Sequence, residues 1–484
     1  MRLKNLLRHK DGHRLESIDT AGEKGLTDLL ALTTVATYVV IILGATLAIT
    51  DIASVCQTWP TCNGRLVVFP WEGSLFVVWG YRLTVLVTGI LVGATAVTSW
   101  LVDARPRVRV ALLFALVAYP VQSSIGGVLA TSDIPRLPAI HLGIAMSIFT
   151  ALLLSLTWRL DSNVDPDEID SDTEDLSEET AEEGWGHPSS LTERITMTLR
   201  AYYKLTKPRL MWLLCLVALA GIGLAVGGSG ESVSTVTVAA TLVGGVLSIG
   251  SSGTFNQVLE REVDQKMDRT SGRPLVDGVV PVRNAVAFGL VLGVASLGVF
   301  VVYVNVLAAV LDFIAILFYT FVYTVVLKPN TTQNIVIGGA VGALPALIGW
   351  SAVTNTIGVP AVVLGAVIFL WTPAHFYNLA LAYKKDYERG DFPMLPVVRG
   401  ERVTLRHILL YLGATLLSAG VLGAVAPVGW LYGATTVVLG SVFIWTVLRL
   451  YREQTKKAAF RSFHASNIYL GTLLISIVVE TLVI

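Results

Sequence analysis

The sequence predicts an all-α polytopic membrane protein of about four plus nine transmembrane helices, and three observations carry that reading. Of 484 residues, 54% are hydrophobic and only 14% charged, with a mean hydropathy of +0.67, the balance of a chain whose solvent is lipid. Thirteen stretches stay apolar for about 20 residues each, the length that crosses a hydrocarbon core of about 30 Å. Lys and Arg cluster in alternate connections between those stretches, as they do when alternate loops face the cytoplasm.

Residues 1–26 read as a polar cytoplasmic leader with Arg2, Lys4, Arg8, Lys10 and Arg14. The first apolar run is a span rather than the short core of a cleavable signal. Four spans follow, near 27–49, 74–101, 108–132 and 137–160, and Arg105, Arg107 and Arg109 between the second and third put the N-terminus inside. Residues 161–200 read as an acidic disordered linker. Twelve of the 35 acids fall within 161–183, a segment with no Lys or Arg, which leaves 23 acids against 35 basic residues elsewhere. Such a segment has too little apolar surface to order itself, and it would also suit a high-salt cytoplasm.

The second module, residues 201–484, offers nine spans near 208–227, 234–256, 285–304, 307–327, 334–353, 357–382, 406–425, 429–448 and 466–484. Its basic clusters, 204–209, 261–283, Lys328, 384–406 and 449–461, alternate with loops almost free of positive charge. Both long polar loops therefore face the cytoplasm, and the C-terminus lies outside. Three cysteines are too few for a disulfide scaffold. Cys215 reads as apolar filler, while Cys56 and Cys62 flank a polar external loop and are placed to pair.

The chemistry concentrates in 256–274, NQVLEREVDQKMDRTSGRP, which follows directly on an apolar span. Asn256, Glu260, Asp264 and Asp268 recur every fourth residue and would share one helical face. Oxygen ligands there suit Mg²⁺, and the interleaved Arg261, Lys266, Arg269 and Arg273 suit a diphosphate. The plain alternative is a solvated helix end laced with ion pairs, but ionisable groups this close to hydrocarbon are functional candidates first. A second loop offers Asp386, Glu388 and Asp391 beside Lys384, Lys385 and Arg389. Two such loops on one side fit a bipartite site for a metal and a diphosphate.

The pattern N-x-x-x-E-R-E-x-D-x-x-M-x-R-T at 256–270 resembles the first acidic motif of the UbiA-type intramembrane prenyltransferases, and in detail that of the heme O synthases. LTKPR at 205–209, QNIVIGG at 333–339, WTPAHF at 371–376 and KDYERGDFPMLPV at 385–397 extend the resemblance over 202–484. It implies a helical bundle that joins farnesyl from farnesyl diphosphate to a vinyl group of protoheme IX (heme B), with water added, for heme-copper terminal oxidases. It assigns Asn256, Glu260 and Asp264 to a first Mg²⁺ set and Asp386 to a second, and makes Lys207, Arg209, Arg261, Lys266, Arg269, Arg273 and Lys385 candidates for the diphosphate. His375 becomes a heme contact. Glu at 260 and 262 stands where many relatives have Asp, the second motif reads KDY rather than D-x-x-x-D, and Ala374 replaces a Pro. Tyr319 and Tyr323 suit packing or the lining of a prenyl chamber, and Asn334 a helix cap or a substrate contact.

The first module, with CQTWPTC at 56–62, QSSIGG at 122–127 and His141-Leu142, resembles half of a heme A synthase. That likeness makes His141 a candidate heme ligand, although Tyr81-Arg82 stands where a His-Arg pair is expected; the alternative is a degenerate module that docks a partner or passes heme on. Expected partners are membrane lipids, heme A synthase and oxidase assembly proteins, with no nucleic acid. Competing readings are a UbiA-type transferase acting on a phenol, quinone precursor or lipid alcohol, a transporter, and a heme-binding assembly factor without turnover. A transport path needs polar groups at the midplane, whereas the acids of the second module collect in two loops.

Overall fold

A computed structural model describes residues 2–50, 52–132, 134–161, 185–186 and 188–482, with most side chains from residue 22 onward. Among the described residues, thirteen helices are long and apolar enough to cross a membrane. The chain divides into two compact units, Met1–Val164 and Asp165–Ile484.

The first unit is a ring of four helices, α1 (Arg2–Ile49), α2 (Ser74–Leu101), α3 (Pro106–Leu129) and α4 (Leu137–Leu160). Each packs on the next and α4 closes on α1. The leader expected over 1–26 is not a separate element, because α1 runs through it without a break. Inside the ring, buried threonines bond back to carbonyls one turn earlier. Thr33 reaches Leu29 O at 2.7 Å and also meets Thr95 across the α1–α2 seam at 2.7 Å, the kind of polar contact that joins helices where no hydrophobic force does. Buried Arg159 donates to Glu23 O at 3.0 Å. The loop between α1 and α2 carries a Cys56–Cys62 disulfide. Arg82 organises it from above, donating to Thr58 O at 2.7 Å, Thr61 O at 2.8 Å and Cys56 O at 3.2 Å.

The acidic stretch 162–184 lies outside the described residues, but the linker expected to run to 200 does not. Residues Leu191–Leu205 form a helix, α5, started by the Ser190 hydroxyl accepting from Glu193 N at 3.2 Å. Four-residue spacing of Leu191, Ile195, Leu199 and Tyr203 gives it one apolar stripe, a period hidden in the sequence by the charged residues between.

Nine spans follow: α6 (Pro208–Ser229), α7 (Thr235–Asp264), α8 (Val282–Tyr303), α9 (Val306–Leu317) continued by a π-helical stretch (Phe318–Leu327) and the short α10 (Lys328–Asn330), α11 (Asn334–Thr354), α12 (Val359–Ala382), α14 (Leu395–Val425), α15 (Trp430–Glu453) and α16 (Lys456–Leu482), with the short α13 (Lys384–Arg389) after α12. Three run further than the apolar pattern indicates. α7 continues eight residues past 256 because its polar face turns inward, and α14 and α16 begin about ten residues early in polar sequence. Gly400, at φ 77°, kinks the start of α14.

The tightest seam is between α6 and α11. A Cβ at Gly349 would lie 2.0 Å from Ala218 O, and one at Gly221 would lie 2.4 Å from Ala346 O, so each backbone rests on a glycine of the other. Glu480 of α16 accepts from Gly429 N at 2.7 Å and Leu431 N at 2.6 Å, satisfying donors that the start of α15 would otherwise leave bare.

Candidate active site

A cavity of about 1920 Å³ lies within the second unit, lined by α5, α6, α7, α9, α11, α12 and α16 together with the loop after α7. One end is charged and the remaining wall largely apolar. The charged end begins at Lys207, which precedes Pro208. A residue before proline is kept out of the right-handed helical region, and Lys207 takes a left-handed backbone, φ 54°. The turn sends its ammonium inward, where Nζ donates to Asn256 Oδ1 and to Tyr319 Oη at 3.2 Å and lies 5.6 Å from the Tyr319 ring. Burial, reinforced by nearby Arg273, pushes this ammonium down to about 7, so it is a cation short of anionic partners.

Asn256 is held from the other side, its Nδ2 donating to Thr324 Oγ1 at 2.9 Å, while Thr324 donates five residues back to Tyr319 O at 2.8 Å. This wide turn belongs to the π-helical stretch, a geometry that often marks functional sites, and it turns Tyr319 and Tyr323 into the cavity wall, stacked 5.5 Å apart. Packing alone does not describe them.

One turn on, Glu260 accepts from Lys328 Nζ at 2.7 Å, and Asp264 accepts from Arg273 at 2.6 Å. Arg269 lies over Tyr383 at 5.0 Å and Tyr387 at 5.6 Å, and donates to Tyr387 Oη at 3.4 Å. Asp386 is buried on α13 and bonded to Arg389, which also reaches Asp268 at 2.5 Å; Lys266 meets Asp391 at 3.4 Å. The two polar loops, more than a hundred residues apart in sequence, are thus laced together.

Several expectations need correction. α7 ends at Asp264, so Asp268 does not share the face of Asn256, Glu260 and Asp264; its side chain is 72% exposed in the following turn. Arg261 is turned about 100° from Glu260 on the same helix and, like exposed Lys266 and Lys385, does not line the cavity; Arg209 lines it while remaining exposed. Among the described residues, no three carboxylates, imidazoles or thiols stand close enough to hold a metal ion. The expected first set, Asn256, Glu260 and Asp264, lies along α7, and the carboxylates of that set and of the expected second set are each paired with a cation, Glu260 with Lys328, Asp264 with Arg273 and Asp386 with Arg389, which offsets their desolvation. Asn334 neither caps α11 nor lines the cavity; it donates to Lys328 O at 3.3 Å. Lys328 itself was passed over in the sequence, where the one signal was a single Lys closing an apolar span.

His375 also lines the cavity, sandwiched between Trp371 at 4.2 Å and Phe463 at 4.3 Å. Its Nδ1 lies 2.6 Å from Ser466 Oγ, and that hydroxyl donates its single proton to Phe463 O at 2.6 Å. With that hydroxyl proton on Phe463 O, the Nδ1 contact is made by the tautomer protonated at Nδ1, in which Nε2 keeps its lone pair. In the first unit, His141 packs on Gly126 of α3 and its buried Nδ1 has no partner, whereas Tyr81 packs on Gly44 of α1. No bond or ring contact joins the two among the described residues.

The model of the UbiA prenyltransferase family matches residues 214–471. A protoheme IX farnesyltransferase from Haloarcula marismortui is 52% identical over 467 residues, covering 96% of this chain and 99% of its own. One from Halobacterium salinarum is 53% identical over 459 residues, covering 94% and 98%. A third, from Saccharopolyspora erythraea, is 45% identical over 288 residues, covering 59% of this chain and 91% of its own. The chain belongs to the UbiA prenyltransferase family, among its protoheme IX farnesyltransferases.

Proposed function

We propose that the second unit transfers a farnesyl group from farnesyl diphosphate to a vinyl group of protoheme IX, with addition of water, releasing diphosphate and giving heme O for heme-copper terminal oxidases. The observation that carries this reading is the gathering of Lys207, Arg269, Arg273 and Lys328 at one end of a predominantly apolar cavity of about 1920 Å³. In that chamber the allylic C–O bond breaks with its electron pair leaving on the diphosphate. The terminal vinyl carbon then bonds to the farnesyl C1, the cation passes to the inner vinyl carbon, and water closes the sequence with loss of a proton. The four cations receive the leaving group, and the apolar wall keeps other water from the farnesyl cation. The faces of Tyr319 and Tyr323 stabilise that cation by their quadrupoles.

Asp264 offers a test of whether a divalent cation fits: one of its oxygens is bonded to Arg273 and the other is buried with no partner, an acceptor a hard cation would satisfy. Asn256, Glu260, Asp264 and Asp386 would hold Mg²⁺, which supplies positive charge to the departing diphosphate. Arg273, Lys328 and Arg389 keep those carboxylates neutralised until a diphosphate offers the cations a second anion. His375 Nε2 is a lone pair suited to the heme iron.

The protein is a multi-pass membrane protein. Its basic leader and both polar loops are read as cytoplasmic, its C-terminus as external, and the site as opening to the cytoplasmic side. For the first unit, heme contact at His141 and docking of heme A synthase or an oxidase assembly protein are the two roles its polar loop and orphaned imidazole support.

The test is to incubate membranes containing the protein with protoheme, farnesyl diphosphate and Mg²⁺ and to identify the product by mass. Heme with one added hydroxyfarnesyl increment, lost in Asp264→Asn and Asp386→Asn and on chelation of the metal, is the expected result. Unchanged protoheme beside a prenylated phenol would sink the heme assignment.

A further inference from the structure

Asp312 is an acid that the functional reading above leaves unused. It lies inside a membrane span, six residues into α9, only 2% exposed, and it lines the cavity away from the charged end. A carboxyl in that position is a functional candidate by default. Its Oδ2 lies 2.7 Å from Ser296 Oγ of α8, and the Ser248 hydroxyl of α7 is also bonded to it. Ser248 lines the same cavity. Ser296 is in turn 2.8 Å from Gly244 O. One hydroxyl proton cannot serve both Gly244 O and Asp312, so when it goes to the carbonyl the short contact to Asp312 has room for a proton on the carboxyl. The cluster is built to hold either zero or one extra proton without moving.

Its depth is set twice. Asp312 is seven residues below Tyr319 on one helix, and Ser248 is eight residues below Asn256 on another, so both helices place the niche about 10–12 Å beneath the Lys207 contact. A path from a gripping ammonium through a hydrogen bond, the breaking O–C1 bond, the new C–C bond, the two vinyl carbons, the incoming oxygen and a last hydrogen bond to a base spans roughly 12 Å. The niche stands where that path ends.

We infer that Asp312, with Ser248, seats the one water that the reaction admits and takes its proton. This rests on the heme-prenylation reading above. The water oxygen bonds to the cationic inner vinyl carbon, one O–H bond breaks to Asp312, and the carboxyl later returns the proton to solvent. The diphosphate has already left with its electron pair, so charge and atoms balance. If the water is not held, the same cation loses a proton from the newly formed methylene and gives an alkene lighter by one water.

The product mixture reads this directly. Wild type in H₂¹⁸O should give labelled hydroxylated product with little alkene. Asp312→Asn, which keeps the shape of the site but is a poor base, should lower hydroxylated product at least tenfold and raise the alkene-to-alcohol ratio at least tenfold, while diphosphate release stays within about threefold. Ser248→Ala should shift the ratio in the same direction and serves if Asp312→Asn does not fold. Wild-type product ratio in both variants, or equal loss of diphosphate release and product, would reduce Asp312 to a structural acid. Absence of any prenylated heme from wild type would overturn the function and this role together.

Discussion

The two units are built from the same material, apolar helices with few buried charges, and spend those charges differently. The first uses Arg82 to gather loop carbonyls and Arg159 to pin the last turn of α4 to Glu23 of α1. The second brings four cations and two carboxylates to one end of a chamber. Depth of burial does not explain the difference: Thr235–Asp264, which carries Asn256, Glu260 and Asp264, is no more buried than the most buried spans of the four-helix ring. What the second unit adds is an enclosed cavity onto which its charges can face.

If that is right, the largest effect of a single change belongs to the charged end. Lys328→Met leaves the Glu260 carboxylate buried without its partner, a loss on the order of 3–5 kcal/mol in stability, and removes a cation from the leaving group, on the order of a 100-fold loss in transfer rate. Glu260→Gln should cost less stability. The double variant Glu260→Gln/Lys328→Met should recover most of the melting temperature of Lys328→Met but none of its rate. Thermal melts and initial rates on the four proteins test it; transfer within threefold of wild type in Lys328→Met would end the argument.

A smaller effect, of opposite sign in the two units, comes from one methyl group. At Gly349 a Cβ meets Ala218 O at 2.0 Å, while at Gly93 of α2 nothing lies within 4 Å. Gly349→Ala must push α6 and α11 apart and should lose roughly 1–3 kcal/mol. Gly93→Ala should be neutral or stabilising by up to about 1 kcal/mol, since alanine is the better helix former. Equal shifts in the two melting temperatures would mean that the seam is not as tight as its backbone distances indicate.

The spans and the family were legible in the sequence because both are local: a run of 20 apolar residues needs no partner to be seen, and Asn256, Glu260 and Asp264 keep helical spacing. What was not legible depends on where chains meet. Asp268 continues the four-residue period on paper, but the helix stops at Asp264. Arg261 and Lys266 share the composition of the motif without facing the cavity. Lys328 and Asp312 are single charges in apolar surroundings, without a neighbouring pattern, and only the fold sets one against Glu260 and the other against Ser296. The π-helical turn that brings Tyr319 and Tyr323 to the wall has no sequence signature at all.

The smallest expected effect is the sharpest test of the division between units. Arg82 stands where the resemblance to heme A synthase leads one to look for a ligand pair, yet its guanidinium is committed to carbonyls of Cys56, Thr58 and Thr61. Arg82→Met removes those donors at once, but the Thr58 contact is exposed and the others only part-buried, so water takes their place and the loss stays at about 1 kcal/mol. The loop should loosen, seen as faster hydrogen exchange at 56–64 and faster reduction of the Cys56–Cys62 bridge, while farnesyl transfer stays within twofold. A tenfold fall in transfer with a loosened loop would instead mean that the ring of four helices acts on the chamber, and the two ways of spending charge would then be parts of one device.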